Sequence, residues 1–195
     1  MTFRMLTVSM TAIALIGVSA CNQADNGNAA TEAQSGEAKE LAGDKTIGAG
    51  LAAEGKFMAA AKAAGLDQTL NGPGPYTVFV PSDAAIDSAG DAWKATPDNR
   101  AALTGAITNL ILPGTVMAED IGKAIDNGKG KAVLATMGGG TITATKDGDK
   151  IVLTDSAGKK ATVTQPDDKF SNGVAHHIDA LLTAANGAPP PTKAP

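Results

Sequence analysis

From residue 46 onward, the spacing of apolar residues divides the chain into a helical first half and a strand-rich second half. Ile47 to Ala64 sets Leu51, Phe57, Met58 and Ala61 among alanines, which predicts one or two helices with a break at Gly55 and an end near Gly65. Gly72-Pro73-Gly74-Pro75 predicts a turn, and Tyr76-Thr77-Val78-Phe79-Val80 a short strand stopped by Pro81. Ser82 is placed to cap a helix carrying Ala84, Ala85 and Ile86, with Asp83 near the positive end of its dipole. Thr96-Pro97 predicts a second helix start. That helix sets Leu103, Ile107, Leu110 and Ile111 on one face and ends at Pro113-Gly114. Ala118 to Ile125 predicts a shorter helix, with Ile121 and Ile125 one turn apart.

The period changes at Lys131. Ala132 to Met137 reads as a strand leading into Gly138-Gly139-Gly140, a strand corner. Thr141 to Thr145 and Ile151 to Thr154 flank Asp147-Gly148, a hairpin turn pair. Ala161 to Thr164 follows across Ser156-Ala157-Gly158, and Val174 to Leu182 closes the pattern as a strand running into an apolar segment. Helices first and a meander of strands second predict an α+β fold. The stretch from 46 to 185 has the size of one domain with one core, and it contains no internal repeat.

Outside that stretch the patterning is of another kind. Met5 to Gly17 is apolar and uncharged, preceded by Arg4 and followed by small residues, which is a secretory signal layout. The run is too short for a hydrocarbon core of about 30 Å. Val18-Ser19-Ala20-Cys21 resembles the bacterial lipobox: an aliphatic residue, two small residues, then cysteine. The resemblance implies that residues 1–20 are a lipoprotein signal peptide and that Cys21 carries three acyl chains after cleavage, enough for stable anchoring. An ordinary cut after Ala20 would instead leave a free thiol. Asn22 follows the cysteine, where an Asp would have suggested inner-membrane retention in enteric-type bacteria; outer-membrane sorting is the expectation. Residues 21–45 lack large apolar side chains apart from Leu41 and predict a flexible tether with a reach of roughly 25–30 Å. The proline-rich 186–195 predicts a loose terminal tail.

Charge narrows the partners. The 195 residues carry 16 basic and 20 acidic side chains, a net charge of −4, and loss of residues 1–20 removes only Arg4. A mildly acidic chain with scattered charge lacks the basic footprint of a nucleic-acid binder and a polybasic patch for anionic lipid. One cysteine excludes an intrachain disulfide and a cysteine-type zinc framework.

Catalytic chemistry finds few candidates. His176 and His177 are adjacent in a predicted strand and therefore point to opposite faces, which disfavours joint ligation of one ion. His177 and Asp179 share a face, and a third ligand from a loop would be needed to hold a metal. Ser82 sits in no Gly-x-Ser-x-Gly setting, and loop and turn chemistry accounts for Asp167-Asp168 and for Asp147 with Asp149. Gly138-Gly139-Gly140 has no following lysine or helix, unlike a phosphate loop. Trp93 and Tyr76 are the only tryptophan and tyrosine, too few for a stacking platform for sugars or bases. No catalytic, cofactor-binding or metal-ligating residue is nominated, and the expectation is a protein that is not an enzyme and needs no cofactor.

Three segments together resemble the fasciclin domain family. Tyr76 to Ile86 (YTVFVPSDAAI) is similar to its first signature through Thr77, Val78, Phe79, Pro81 and Asp83. Asn172-Gly173-Val174-Ala175-His176-His177-Ile178-Asp179, followed by Leu181-Leu182, is similar to its second, through Asn172, Gly173, His176, Ile178 and Asp179. Leu112-Pro113-Gly114 matches the pivot between the helical and strand-rich halves, with Pro113 and Gly114 as the shared positions. The resemblance covers about residues 46 to 185. It implies a wedge of helices packed against a small β-sandwich, and adhesion or extracellular contact rather than catalysis. On this reading Gly173 suits a tight turn needing positive φ, His176 is semi-buried with a hydrogen-bonded ring, and Asp179 accepts backbone N–H groups in the last turn.

The chain departs from the family in two places. Where the family often carries a Tyr-His pair implicated in adhesion by animal members, this chain has Asn109 and Leu110, so integrin recognition does not carry over. His177 stands where an aliphatic residue is usual, a titrating group at the surface. The resulting expectation is a lipid-anchored domain of the bacterial cell envelope, periplasmic or surface-facing, that contacts an envelope or extracellular protein or a polysaccharide. The rival expectation is a binder of a small apolar ligand, a pigment or lipid, in a groove near Leu110, Ile111, Met117 and Met137.

Overall fold

The structure, a computed structural model, describes residues 43–51, 55–94, 96 and 98–183. The signal peptide, Cys21, nearly all of the expected tether and the proline-rich tail lie outside the described residues. Lys45, assigned to the end of the tether, already belongs to the domain: its carbonyl accepts the Ser171 N–H at 2.8 Å.

Among the described residues, six short helices and seven strands follow in the order α1 (Ile47–Gly50), α2 (Gly55–Ala63), α3 (Asp67–Asn71), β1 (Tyr76–Pro81), α4 (Asp83–Ser88), α5 (Arg100–Thr108), β2 (Ile111–Pro113), α6 (Ala118–Asn127), β3 (Lys131–Ala135), β4 (Thr141–Asp147), β5 (Lys150–Thr154), β6 (Lys160–Phe170) and β7 (Gly173–Ile178). A 3-10 turn, Gly90–Trp93, lies between α4 and α5. The strands run β2-β1-β7-β6-β5-β4-β3 across one sheet. Every pair is antiparallel except β1 with β7, where Tyr76 opposes Gly173 and Pro81 opposes Ile178. Beyond β3 the Met137 N–H donates to the Ile111 carbonyl of β2 at 2.8 Å, so the two ends of the sheet curl back toward each other. This α+β architecture is the one expected, with the strands in a single curled sheet.

The core lies between the helices and the inner side of this curled sheet. Phe57, Leu70, Phe79, Leu103, Ile107, Leu110, Ile111, Ile121 and Ile125 are essentially removed from solvent and join one buried cluster with Ile142, Ala144 and Leu153. Alternation along β3–β6 is strict. Ala132, Ile142, Ala144, Leu153 and Ala161 point inward; Val133, Thr143, Thr145, Val152, Thr154 and Thr162 occupy the opposite face.

Several local expectations are corrected. The helix expected from Thr96-Pro97 starts at Arg100. Asn99 displaces that start, because its Nδ2 donates to the carbonyls of Asp91 and Lys94 while its Oδ1 accepts the Thr96 N–H. The same helix stops at Thr108, and Ile111–Pro113 forms β2, since pairing with Tyr76–Val78 satisfies its backbone. Pro166-Asp167-Asp168 is not a loop but part of the eleven-residue β6. Two register shifts against β7, either side of Gln165, accommodate it, with Asp167 at φ 60°. Ser82 does cap α4: its Oγ accepts the Ala85 N–H at 3.3 Å.

Gly173 begins β7 at φ 156°, and a Cβ there would lie 2.0 Å from the Tyr76 carbonyl oxygen. The strand pair could not close over that atom without backbone movement. Gly173→Ala is therefore expected to lower the unfolding free energy by about 1–3 kcal/mol, read as a shifted urea midpoint at unchanged slope.

Candidate functional site

The residues of the two sequence signatures converge on the parallel β1–β7 pair, and each fastens a different connection to it. Asn172, buried just before β7, takes three bonds. Its Oδ1 accepts the Ile47 N–H at 2.7 Å, and its Nδ2 donates to the carbonyls of Leu70 at 2.9 Å and Gly72 at 2.7 Å. One amide thus holds the start of α1 and the turn after α3. Gly74 packs so closely on the Asn172 carbonyl that an added Cβ would sit 2.2 Å away.

Thr77 and His176 fasten the segment between β2 and α6. Thr77 Oγ1 donates to the Gly114 carbonyl and accepts the Val116 N–H, both at 2.8 Å. His176, expected to be half-buried, has no exposed surface at all. Its Nδ1 lies 3.1 Å from the Asp167 backbone N–H, which can only donate, so Nδ1 carries no proton. Nε2 carries it and donates to the Val116 carbonyl at 2.9 Å. Phe79, directly opposite on β1, places its ring centroid 5.7 Å from the imidazole. Asp167 then completes the clamp by accepting the Ala118 N–H at 2.8 Å, at the first residue of α6. Burial holds His176 below the usual histidine range; the Val116 carbonyl and the Asp167 carboxylate oppose that shift without cancelling it.

The remaining signature residues also bind backbone. Asp83 Oδ1 accepts the Lys56 N–H at 2.9 Å, so this carboxylate caps α2 from another helix as well as standing in the first turn of its own. Asp179 accepts the Thr162 N–H of β6 at 2.7 Å, rather than an N–H of its own turn. Val78 and Ile178 are core, Pro81 ends β1, and Pro113 pairs with Tyr76. The His177 ring lies 3.7 Å from the Asp168 carboxylate. Among the described residues no three His, Cys, Asp or Glu side chains are grouped to hold a metal ion.

Two structural anchors escaped the sequence reading. Asp155, buried at the β5–β6 turn, accepts the N–H groups of Ala157 and Lys159 on Oδ1, and both N–H and Oγ1 of Thr183 on Oδ2. Asn109, followed by Leu110, closes the C-terminal end of α5. Leu110 is wholly buried, and Asn109 donates to the Gly105 carbonyl and accepts from Thr136 Oγ1 at 2.9 Å. The triple glycine wraps that amide: a Cβ at Gly138 or Gly140 would come within 2.5 Å of it. Gly138 and Gly140 are glycine because the side chain of Asn109, just after α5, already fills the space, whereas Gly139 meets no such atom and sits at φ 81°. Leu110 and Ile111, proposed for an apolar groove, are core residues, and neither they nor Met117 and Met137 line the described cavities.

This arrangement is accompanied by clear similarity to known proteins. The model of the fasciclin domain matches residues 55–184. A protein of Synechocystis, sll1483, is 31% identical over 140 residues, covering 70% of each chain. The chain belongs to the fasciclin domain family. Mouse Stabilin-2 is 30% identical over 121 residues, and the pig transforming growth factor-beta-induced protein ig-h3 is 30% identical over 127. Those alignments cover 61% and 65% of this chain but 4% and 17% of the two animal proteins. Among solved structures, a FAS1 domain pair from the insect cell adhesion molecule Fasciclin I superimposes with a TM-score of 0.62 at 20% identity, covering 72% of this chain and 51% of that one. The family is one of adhesion-type domains that occur in extracellular or secreted proteins.

The His176 clamp has a pH signature. The unfolded chain takes up a proton on this residue near the ordinary histidine value of about 6.5, whereas the folded chain does so only at lower pH. The stabilisation is therefore full above pH 6.5 and is lost as the pH falls from 6.5 toward the depressed folded value, with a slope of at most about 1.4 kcal/mol per unit. Urea titrations from pH 7.5 to 5 are expected to show this fall, and His176→Gln to flatten it while lowering stability at neutral pH.

Proposed function

We propose that this protein is a lipid-anchored, non-catalytic contact module of the bacterial cell envelope, held by acylated Cys21 and sorted to the outer membrane. The tether of residues 21–45 lets the domain reach an envelope or extracellular protein or a polysaccharide, with no role for nucleic acid. The lipobox-like Val18-Ser19-Ala20-Cys21 supports the anchor. No described helix is long and apolar enough to cross a membrane.

The observation that carries the contact reading is the uncovered outer face of β3–β6. It is built from β-branched residues, and Val133 on its edge strand is 64% exposed, with Met137 just beyond at 44%; these are the exposed large hydrophobic side chains of the described residues. β-Branched side chains lose little rotamer freedom on binding. A depression of about 450 Å³ on this face is bordered by Asp147, Lys150, Val152, Thr162, Thr164 and Asp179, offering donors, acceptors and apolar surface together. The functional groups described above support the non-catalytic part, because Thr77, His176, Asn172 and Asp179 spend their polar atoms on backbone.

Two measurements test the reading. Intact mass of the protein purified from membranes is expected to show three acyl chains on residue Cys21, and Cys21→Ala to move the protein to the soluble fraction; an unmodified thiol would overturn the anchor. Beads bearing many copies are expected to adhere to envelope fragments through avidity, with Val133→Asp lowering retention about tenfold or more. Unchanged retention in that variant would remove this face from the contact.

A further inference from the structure

A second concavity lies away from both the strand clamps and the outer sheet face. It is a cleft of about 420 Å³ between α2, α4 and the 3-10 turn, lined by Lys56, Ala59, Ala60, Ile86, Trp93 and Lys94, with Asp87 and Gly90 completing the wall. Its volume falls in the range of small-molecule sites. Ala59 and Ala60 keep the α2 surface low, so a ligand can approach the helix closely. Ile86 is buried beneath, and the half-buried indole of Trp93, the chain's one tryptophan, packs against the core at one side.

The side chains that line the cleft carry one more cation than anion, and each of the two lysines is paired with an aspartate. Two ammonium groups and one carboxylate line it, in a protein of net charge −4. Lys56 pairs with Asp87, and Lys94 with Asp91 at 2.8 Å. The partners in these pairs are between 49% and 90% exposed, so the pairs are weak, and either lysine can exchange its aspartate for a ligand carboxylate at little cost. The stems of both lysines extend the apolar rim.

We propose that this cleft binds a small organic carboxylate with an apolar ring system, the rings seated on Ala59, Ala60, Ile86 and Trp93 and the carboxylate between Lys56 and Lys94. The proposal is independent of the contact surface on β3–β6. It relocates the apolar-ligand expectation from Leu110 and Ile111 to a site on the helical side, and it adds a charge requirement which that expectation lacked.

The single indole N–H signal gives a direct readout in a nitrogen–proton correlation spectrum of the full chain. Titration with 2-naphthoate is expected to shift the Trp93 indole signal saturably, with a Kd of about 1 mM or below. The uncharged 2-naphthalenemethanol, with the same rings, is expected to bind about tenfold more weakly. Lys56→Met with Lys94→Met keeps the stems and removes the charges, and is expected to weaken naphthoate binding about tenfold or more while leaving the remaining spectrum in place. Ala59→Phe fills the cleft without adding an indole and is expected to abolish the shift. An indole signal that does not move by about 5 mM naphthoate would overturn the proposal. So would equal affinity for the alcohol, or unchanged affinity in the double methionine variant.

Discussion

The parallel pairing of Tyr76–Pro81 with Gly173–Ile178 is the constraint on which the rest of the fold depends. It joins two segments nearly a hundred residues apart in a sheet whose other neighbours are antiparallel. A parallel pair needs a long crossover, and here the crossover is most of the domain. Every helix from α4 to α6 and every strand from β2 to β6 lies between the two partners. Closing the pair costs loop entropy that local hydrogen bonds do not offset. The buried side chains of both strands, Val78 and Phe79 against Val174, Ala175 and His176, supply the compensating burial.

The signature residues make sense as devices that seat connections on this pair. Asn172 collects α1 and the turn after α3, Thr77 and His176 collect the segment leading to α6, and Asp179 ties β7 to β6. In each case a side chain substitutes for a backbone partner that the irregular chain cannot supply, and an unmet bond at these buried sites would cost about 1–3 kcal/mol. His176 shows why residue type matters here. One ring nitrogen must accept and the other donate, across a gap between Asp167 and Val116, and neutral imidazole provides both in one rigid plane.

This division of labour explains what could be read from sequence. The capping role of Ser82, the turn at Asp147-Gly148 and the alternation of β4 and β5 are local, and local chemistry declares them. Asp83 declared half of its role: its place in the first turn of α4 is local, but its bond to Lys56 spans 27 residues. Asn109 against Thr136, Asp155 against Thr183 and Asp167 against Ala118 are likewise long-range, and each is an ordinary surface-type residue until the fold brings its partner. Asp167-Asp168 misled for a related reason. Two adjacent aspartates read as a loop, but the strand absorbs them through register shifts that only the pairing with β7 reveals.

Because the clamps spend the signature polar groups internally, the surfaces left for partners are those the signatures do not describe. The chain at Asn109 and Leu110 is closed off, by Leu110 in the core and by Asn109 under the glycine turn. The outer face of β3–β6 and the Trp93 cleft differ in kind: one is broad and β-branched, the other is concave and small, with two lysines at its rim. Neither draws on the β1–β7 clamps, and a substitution at Val133 or Lys94 leaves those hydrogen bonds intact. A fold whose buried polar groups are committed to its own backbone can vary such surfaces freely, and that freedom lets one architecture serve unrelated partners.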